Sequence, residues 1–451
     1  MSDRYKIVRI GAGAGFSGDR IEPAVELMAK AHLDYLVFEC LAERTIALAH
    51  QSRRQNSEAG YDPLLLARMR AVLPGCMHRG VRIVSNMGAA NPLAAAHRIA
   101  DVAREFGLQG LRIAAVTGDD VLSAVLREDP ELLGRPGRVT GLGPERIVSA
   151  NAYLGAPPIV EALEMGAQVV ITGRVADPSL FLAPLVHEFG WREDDWTMLG
   201  RGALVGHLLE CAGQLTGGYF ADPGVKDVPD LARLGFPFAE VAADGSATFT
   251  KVEGSGGRLD LRTVKEQLLY ELGDPSAYLT PDVCADFSRT VLCDLGPNRV
   301  RASAAGGSAR PANLKVSVGY LDGYVGEGQI SYAGLQAADR GRLALEIVRE
   351  RLRLTGIEAQ ELRCELIGVD SVRLGAGAAR GREASEVRAR IAARTVTLEA
   401  AQRVGAEVET LYTNGPAGGG GAARSATAIV AIASTLIPRS MVTPQVEMVI
   451  A

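Results

Sequence analysis

Short apolar runs alternate with helix-spaced amphipathic segments through the first 190 residues, and this alternation restricts the fold more than any other feature. The runs Ile7–Ile10, Asp34–Phe38, Val81–Val84, Leu111–Val116 and Gln168–Ile171 are short and rich in Val, Ile or Leu, as strands covered on both faces must be. Between them, Leu93, Ala96, Ile99, Ala100, Ala103 and Phe106 form one apolar stripe that begins at Pro92 and stops at Gly107. The expectation is an α/β fold, with a doubly wound, mostly parallel sheet in an N-terminal domain and a second α+β domain after it. The boundary falls near residue 215, giving domains 1–215 and 216–451.

Beyond that boundary the chain is turn-dense. Strands are expected at Thr248–Val252, Thr290–Asp294, Leu314–Tyr320, Gln329–Tyr332, Val408–Tyr412 and Met441–Ile450, and helices at Leu335–Leu354 and Ser385–Val404. A glycine-rich loop, Asn414-Gly-Pro-Ala-Gly-Gly-Gly-Gly421, sits between a strand pattern and an apolar helix pattern. Four consecutive glycines ahead of a helix can form an anion-binding nest, and a hinge or lid is the equal alternative.

Net charge is −5, so an electrostatic case for nucleic acid or an anionic membrane is lacking. The N-terminal Met-Ser-Asp-Arg-Tyr-Lys has no apolar signal-peptide core, and Ala428–Ile437 is about half a membrane span. Six cysteines lie apart without a C-x-x-C pair, which reads as reduced thiols in a cytoplasmic protein.

After the first strand, Gly13, Gly15 and Gly18 fit G-x-G-x-x-G, a pattern that brings backbone N–H groups to an anion at a helix N-terminus. Ligands of open α/β sheets bind beyond the carboxyl ends of the strands. The polar residues there are Ser17, Asp19 and Arg20; Glu39, Glu43 and Arg44; Ser85 and Asn86; Thr117, Asp119 and Asp120; and Thr172, Arg174 and Asp177. Convergence of carboxylates, amides and guanidinium groups from five segments on one rim favours an enzyme over a scaffold. Asp177 before Pro178 and Asn91 before Pro92 fit helix caps, with capping the main role of each. His32, His50, His97 and His187 read as peripheral, whereas His78 and His207, the latter near Glu210, are less easily set aside.

Glu39 lies about twenty residues past the glycine loop, where a dinucleotide-binding protein places its ribose-binding acid. No zinc motif is present; Asp119, Asp120, Glu39 and Asp177 suit an oxygen-ligand Mg²⁺ site, and both Mg²⁺ and nicotinamide stay open as cofactors. The elbow G-x-S-x-G is absent.

Several strings resemble the acyclic terpene utilisation family, AtuA. They are Gly11-Ala-Gly-Ala-Gly-Phe-Ser-Gly-Asp-Arg20, Tyr35-Leu-Val-Phe-Glu-Cys-Leu-Ala-Glu-Arg-Thr45, Ser85-Asn-Met-Gly-Ala-Ala-Asn-Pro92, Thr172-Gly-Arg-Val-Ala-Asp177, Glu210-Cys-Ala-Gly-Gln-Leu-Thr-Gly-Gly218 and Asn414–Gly421. The family takes its name from a bacterial pathway that degrades citronellol and geraniol through CoA thioesters. The resemblance therefore implies a role in acyl-CoA or branched carboxylic acid catabolism. It also implies a separately encoded small subunit, because some relatives carry an extra C-terminal domain; a homo-oligomer is expected too. It supplies no catalytic residues.

The leading expectation is a lyase of the hydratase/dehydratase type acting on a carboxylate or CoA thioester. Glu39, Glu210 and Asp119 are its acid/base candidates. Gly13, Gly15, Ser17, Gly18, Arg20, Asn86, Arg174, Gly419 and Gly420 are its substrate-binding candidates. Rival expectations are an NAD(P)-dependent oxidoreductase and a non-catalytic subunit of an acyl-CoA-processing complex.

Overall fold

A computed structural model of the chain describes residues 6–372 and 384–451, so the first residues of the N-terminal signal reading lie outside it. All five expected strands of the N-terminal region form, as β1 (Ile7–Ala14), β2 (Tyr35–Phe38), β3 (Arg82–Ser85), β4 (Arg112–Thr117) and, after β5 (Ile147–Ala152), β6 (Val169–Thr172). They pair in parallel in the order β1-β2-β3-β6-β4. Helices α1 (Glu22–Lys30), α2 (Glu43–Gln55), α3 (Leu65–Arg79), α4 (Pro92–Glu105), α5 (Leu122–Glu128) and α6 (Pro157–Glu164) fill the connections between strands, and α7 (Asp177–Phe189) and α8 (Trp196–Leu209) come after β6. The neighbours α1, α3 and α4 cover one face and α6, α7 and α8 the other, so the fold is α/β and doubly wound. Asn91 caps α4 by accepting from the Ala94 N–H, as its place before Pro92 implies.

The domain boundary expected near residue 215 is not a boundary between compact bodies. The strand β7 (Pro237–Ala242) pairs antiparallel with β1, and β8 (Ala247–Lys251), Val300–Ser303 and Val291–Asp294 extend the same sheet outward. At the other edge Gln445–Ile450 pairs antiparallel with β4. The chain divides instead into one unit of Met1–Gly319 with Ile432–Ala451 and another of Tyr320–Ala431. Residues 237–251, although past 215, belong to the first unit, where β7 covers what would otherwise be an open sheet edge at β1.

The second unit has its own core, in which Ile330, Tyr332, Val348, Leu366, Ile391 and Val404 are buried together. Its sheet runs in the order Glu361–Ile367, Glu386–Thr395, the latter part of Asn313–Ala333, and Gly420–Pro438 up to residue 431. Helices Ala337–Leu354 and Leu398–Glu409 pack on it. Three expectations are corrected here. Residues 386–395 are a strand rather than the start of a helix, 408–412 are helical, and the glycine run leads into a strand, not a helix.

Among the described residues, no helix is long and apolar enough to cross a membrane.

Candidate active site

A cavity of about 1080 Å³ opens beyond the carboxyl ends of β1, β2 and β6, and every residue lining it belongs to the first unit. Its polar wall contains Asp19, Glu39, Glu43, Arg174, Asp177 and Glu210. Phe16, Leu133, Leu234, Phe236, Leu279 and Leu436 contribute much of its apolar surface.

Glu39 leaves the end of β2 with its carboxyl buried. Its Oε1 accepts from the Leu41 N–H at 2.8 Å and from Asn86 Nδ2 at 2.9 Å, while Asn86 Oδ1 accepts from the Cys40 N–H at 2.7 Å. Burial, aided by the nearby Asp177 carboxylate, pushes Glu39 up to about 8 against the lowering effects of Arg174 and these donors. Asn86 therefore positions Glu39 and is not itself on the cavity wall.

Arg174 follows β6 and is buried. Its guanidinium pairs with Asp177 at 3.1 Å, donates to the Leu41 carbonyl, and lies 4.2 Å from the centre of the Tyr153 ring. Burial opposes its charge, yet Asp177, Tyr153, Glu43 and Glu39 more than compensate, so Arg174 stays cationic. Asp177 is the first residue of α7 and Ala176 occupies the cap position, so the expected capping role is replaced by an ion pair. Asp119 is buried behind the wall, where Oδ2 accepts from the Arg174 N–H and from Asn151 Nδ2, both at 2.9 Å. Burial raises it to about 6, and its place makes it a support for Arg174 rather than a group facing the cavity.

Glu210 stands at the end of α8, in the segment Glu210–Gly218 that supplies much of one wall. Burial raises it to about 7 although His207 draws it down, and its Oε2 has no protein partner. Glu43 behaves oppositely. Burial works against its charge, but Arg174, the Tyr153 hydroxyl and Lys315 hold it at about 2. Lys315 donates to Glu43 at 3.2 Å and sits 4.8 Å from the Tyr153 ring centre.

The glycine loop does other work than expected. Gly11 and Gly13 lie inside β1, where a Cβ on Gly13 would come within 2.6 Å of the Phe38 ring. A Cβ on Gly15 would meet the Cys211 backbone at 2.5 Å, so this glycine lets the loop pack against the Glu210–Gly218 segment. The Gly15 N–H already donates to Asp19 Oδ2 at 2.9 Å, and α1 starts only at Glu22. The loop carbonyls of Ser17 and Asp19 accept from Arg68 at 2.9 and 3.2 Å, with Asp62 pairing the same buried guanidinium at 3.3 Å. Gly15, Ser17 and Arg20 line the cavity, whereas Gly13 and Gly18 do not. Arg20 is exposed and donates to the Leu231 and Ala232 carbonyls. Gly419 and Gly420 belong to the second unit, where Gly419 abuts Tyr332 and Arg340 donates to the Ala417 carbonyl of the same turn at 2.8 Å. They are not among the lining residues.

Of the residues expected from sequence, Gly15, Ser17, Arg20, Glu39, Arg174 and Glu210 line one cavity, and Asn86 and Asp119 stand behind its lining. Sequence reading passed over Arg68, Tyr153 and Lys315. Tyr153 follows β5, a strand whose Ile147-Val148 start was its signal, and Lys315 sits within an expected strand. Among the described residues, no group of three or more His, Cys, Asp or Glu is arranged to hold a metal ion.

No curated protein and no solved structure matches the chain. A family model described as acyclic terpene utilisation family protein AtuA matches residues 8–448, nearly the whole length. The chain belongs to the acyclic terpene utilisation family, AtuA.

Proposed function

We propose that this protein is a lyase of the hydratase/dehydratase type, acting on a branched carboxylate or its thioester within acyclic terpene breakdown. The observation that carries this reading is the presence of two buried carboxyl groups, Glu39 and Glu210, raised to about 8 and 7 on the wall of one largely apolar cavity. Removal of a β-hydroxyl requires a base for the proton beside the carbonyl and an acid for the departing oxygen. Both work best with pKa values near the operating pH. Charge that builds on the carbonyl oxygen as the enolate forms needs fixed donors. Arg174 and the N-terminal turns of α2 and α7, from which Ala42, Glu43, Thr45, Ala176, Asp177 and Pro178 line the cavity, have that polarity. The apolar side chains suit a branched hydrocarbon tail.

The same geometry weighs against the nicotinamide alternative. Asp19 Oδ2 takes the Gly15 loop amide that would meet a phosphate, and α1 starts only at Glu22, seven residues past that amide.

The test is incubation in D₂O with a panel of branched 3-hydroxy and 2-enoyl acids and their thioesters. Deuterium at the carbon beside the carbonyl, abolished by Glu39→Gln or Glu210→Gln with the fold intact, is the expected outcome. No exchange across the panel contradicts the reading.

A further inference from the structure

The two raised carboxyl groups are not equivalent, and the difference lies in what stands behind Glu210. His207 is buried on α8, packed against both Tyr278 and Phe287 at ring-centre distances of 5.2 and 5.5 Å. Its Nε2 is 3.0 Å from the Leu268 carbonyl and its Nδ1 is 3.2 Å from Glu210 Oε1. A carbonyl oxygen can only accept, so Nε2 must carry a proton. Nδ1 and Oε1 then cannot face each other with lone pairs alone, and one further proton must lie between them. Either way the pair is occupied on that side, and Glu210 Oε2, a buried oxygen with no protein partner, is left as the acceptor of this cavity-lining residue.

Glu39 has the reverse arrangement. Two N–H donors occupy its Oε1, and no cation is hydrogen-bonded to it. With Oε1 taken by two donors, a proton on this carboxyl sits on Oε2.

We propose that His207 is a positioning residue that makes Glu210 the proton acceptor of this cavity, leaving Glu39 as the proton donor. This rests on the acid–base reading of the cavity and assigns its direction. In the dehydration direction Glu210 Oε2 takes the proton from the carbon beside the carbonyl. The carbon–hydrogen electron pair forms the new double bond, the carbon–oxygen bond breaks, and the hydroxyl leaves as water with the Glu39 proton. Glu210 ends protonated and Glu39 ionised, and exchange with solvent resets both. Through Nδ1–H, His207 keeps Oε2 free and compensates charge on Oε1. The other titratable groups acting on the pair are Asp177, Glu271, Cys211 and Tyr278. Asp177 and Glu271 raise Glu210, and Glu271 also raises His207.

The experiment has two arms on the full chain. Nitrogen-15 NMR of labelled histidine, with His207 assigned by its loss in His207→Asn, should show a protonated Nε2 throughout. It should also show an Nδ1 that loses its proton at lower pH in Glu210→Gln. A His207 protonated on Nδ1 alone, or unmoved by Glu210→Gln, overturns the proposal.

In the second arm, deuterium exchange is followed against pH in the wild type and in His207→Gln, which keeps a donor but not the charge. Loss of the cation should move the acidic limb of kcat/KM upward by about one pH unit, with KM little changed. A lowered rate with the limb unmoved is the outcome of a purely structural role and overturns the proposal while the acid–base reading stands. Absence of exchange in the wild type overturns both.

Discussion

Two glutamates in one cavity can be told apart by their neighbours, and their protonation is accessible to measurement. Glu39 is protonated more tightly in the folded chain than when unfolded, since its value rises from 4.5 to about 8. The folded state thus binds the extra proton between those limits, and stability must fall as pH rises through that window. Thermal unfolding should show a midpoint that declines from pH 5 to pH 8, and Glu39→Gln should flatten the decline. A neutral-pH infrared band from protonated carboxyl groups, diminished in Glu39→Gln, is the spectroscopic counterpart. Glu43 has the opposite sign. Held at about 2, it contributes stability above its ordinary 4.5 that disappears as pH falls between those values. Arg68 is the other residue with a large predicted effect. Arg68→Ala strips Asp62 of its partner and releases the Ser17 and Asp19 carbonyls, so chemical denaturation should register a loss of about 3–5 kcal/mol.

At the scale of elements, the glycines of β1 are steric devices. Gly13→Ala forces a Cβ into the Phe38 ring, and the expected cost is about 1–3 kcal/mol with partial recovery in Gly13→Ala/Phe38→Leu, read from the denaturation midpoint. This explains which parts of the fold were legible in the sequence. Runs such as Tyr35-Leu-Val-Phe38 are apolar throughout because both faces are covered, and that pattern has no helical competitor at its length. Residues 386–395 misled because Ala and Arg favour helices, while Val387, Ala389 and Ile391 alternate with Arg388 and Arg390 at the strand period. The strand runs on through Gly11 and Gly13 to Ala14, and the Gly15 amide is claimed by Asp19, an internal acid that the spacing of glycines cannot reveal. Glu39 and Glu210 could be picked out by position. Tyr153 and Lys315 could not, because they reach the cavity from segments far apart in the chain.

Across the whole molecule, two units with separate cores divide the work of folding. Both tryptophans, Trp191 and Trp196, lie in the first, so their fluorescence reports that unit alone. Val404→Asp, which puts a charge in the core of the second unit, should remove part of the cooperative far-ultraviolet signal and leave the tryptophan transition in place. A tryptophan midpoint that falls with it would mean that the two cores unfold as one. The proposed chemistry is confined to the first unit, and the most direct measurement is a crystal of the full chain soaked with branched 3-hydroxy and 2-enoyl carboxylates. Density with its carboxyl end at Arg174 and its reacting carbons between Glu39 and Glu210 is the predicted result. A ligand bound elsewhere, with this cavity untouched at saturating concentration, would contradict it.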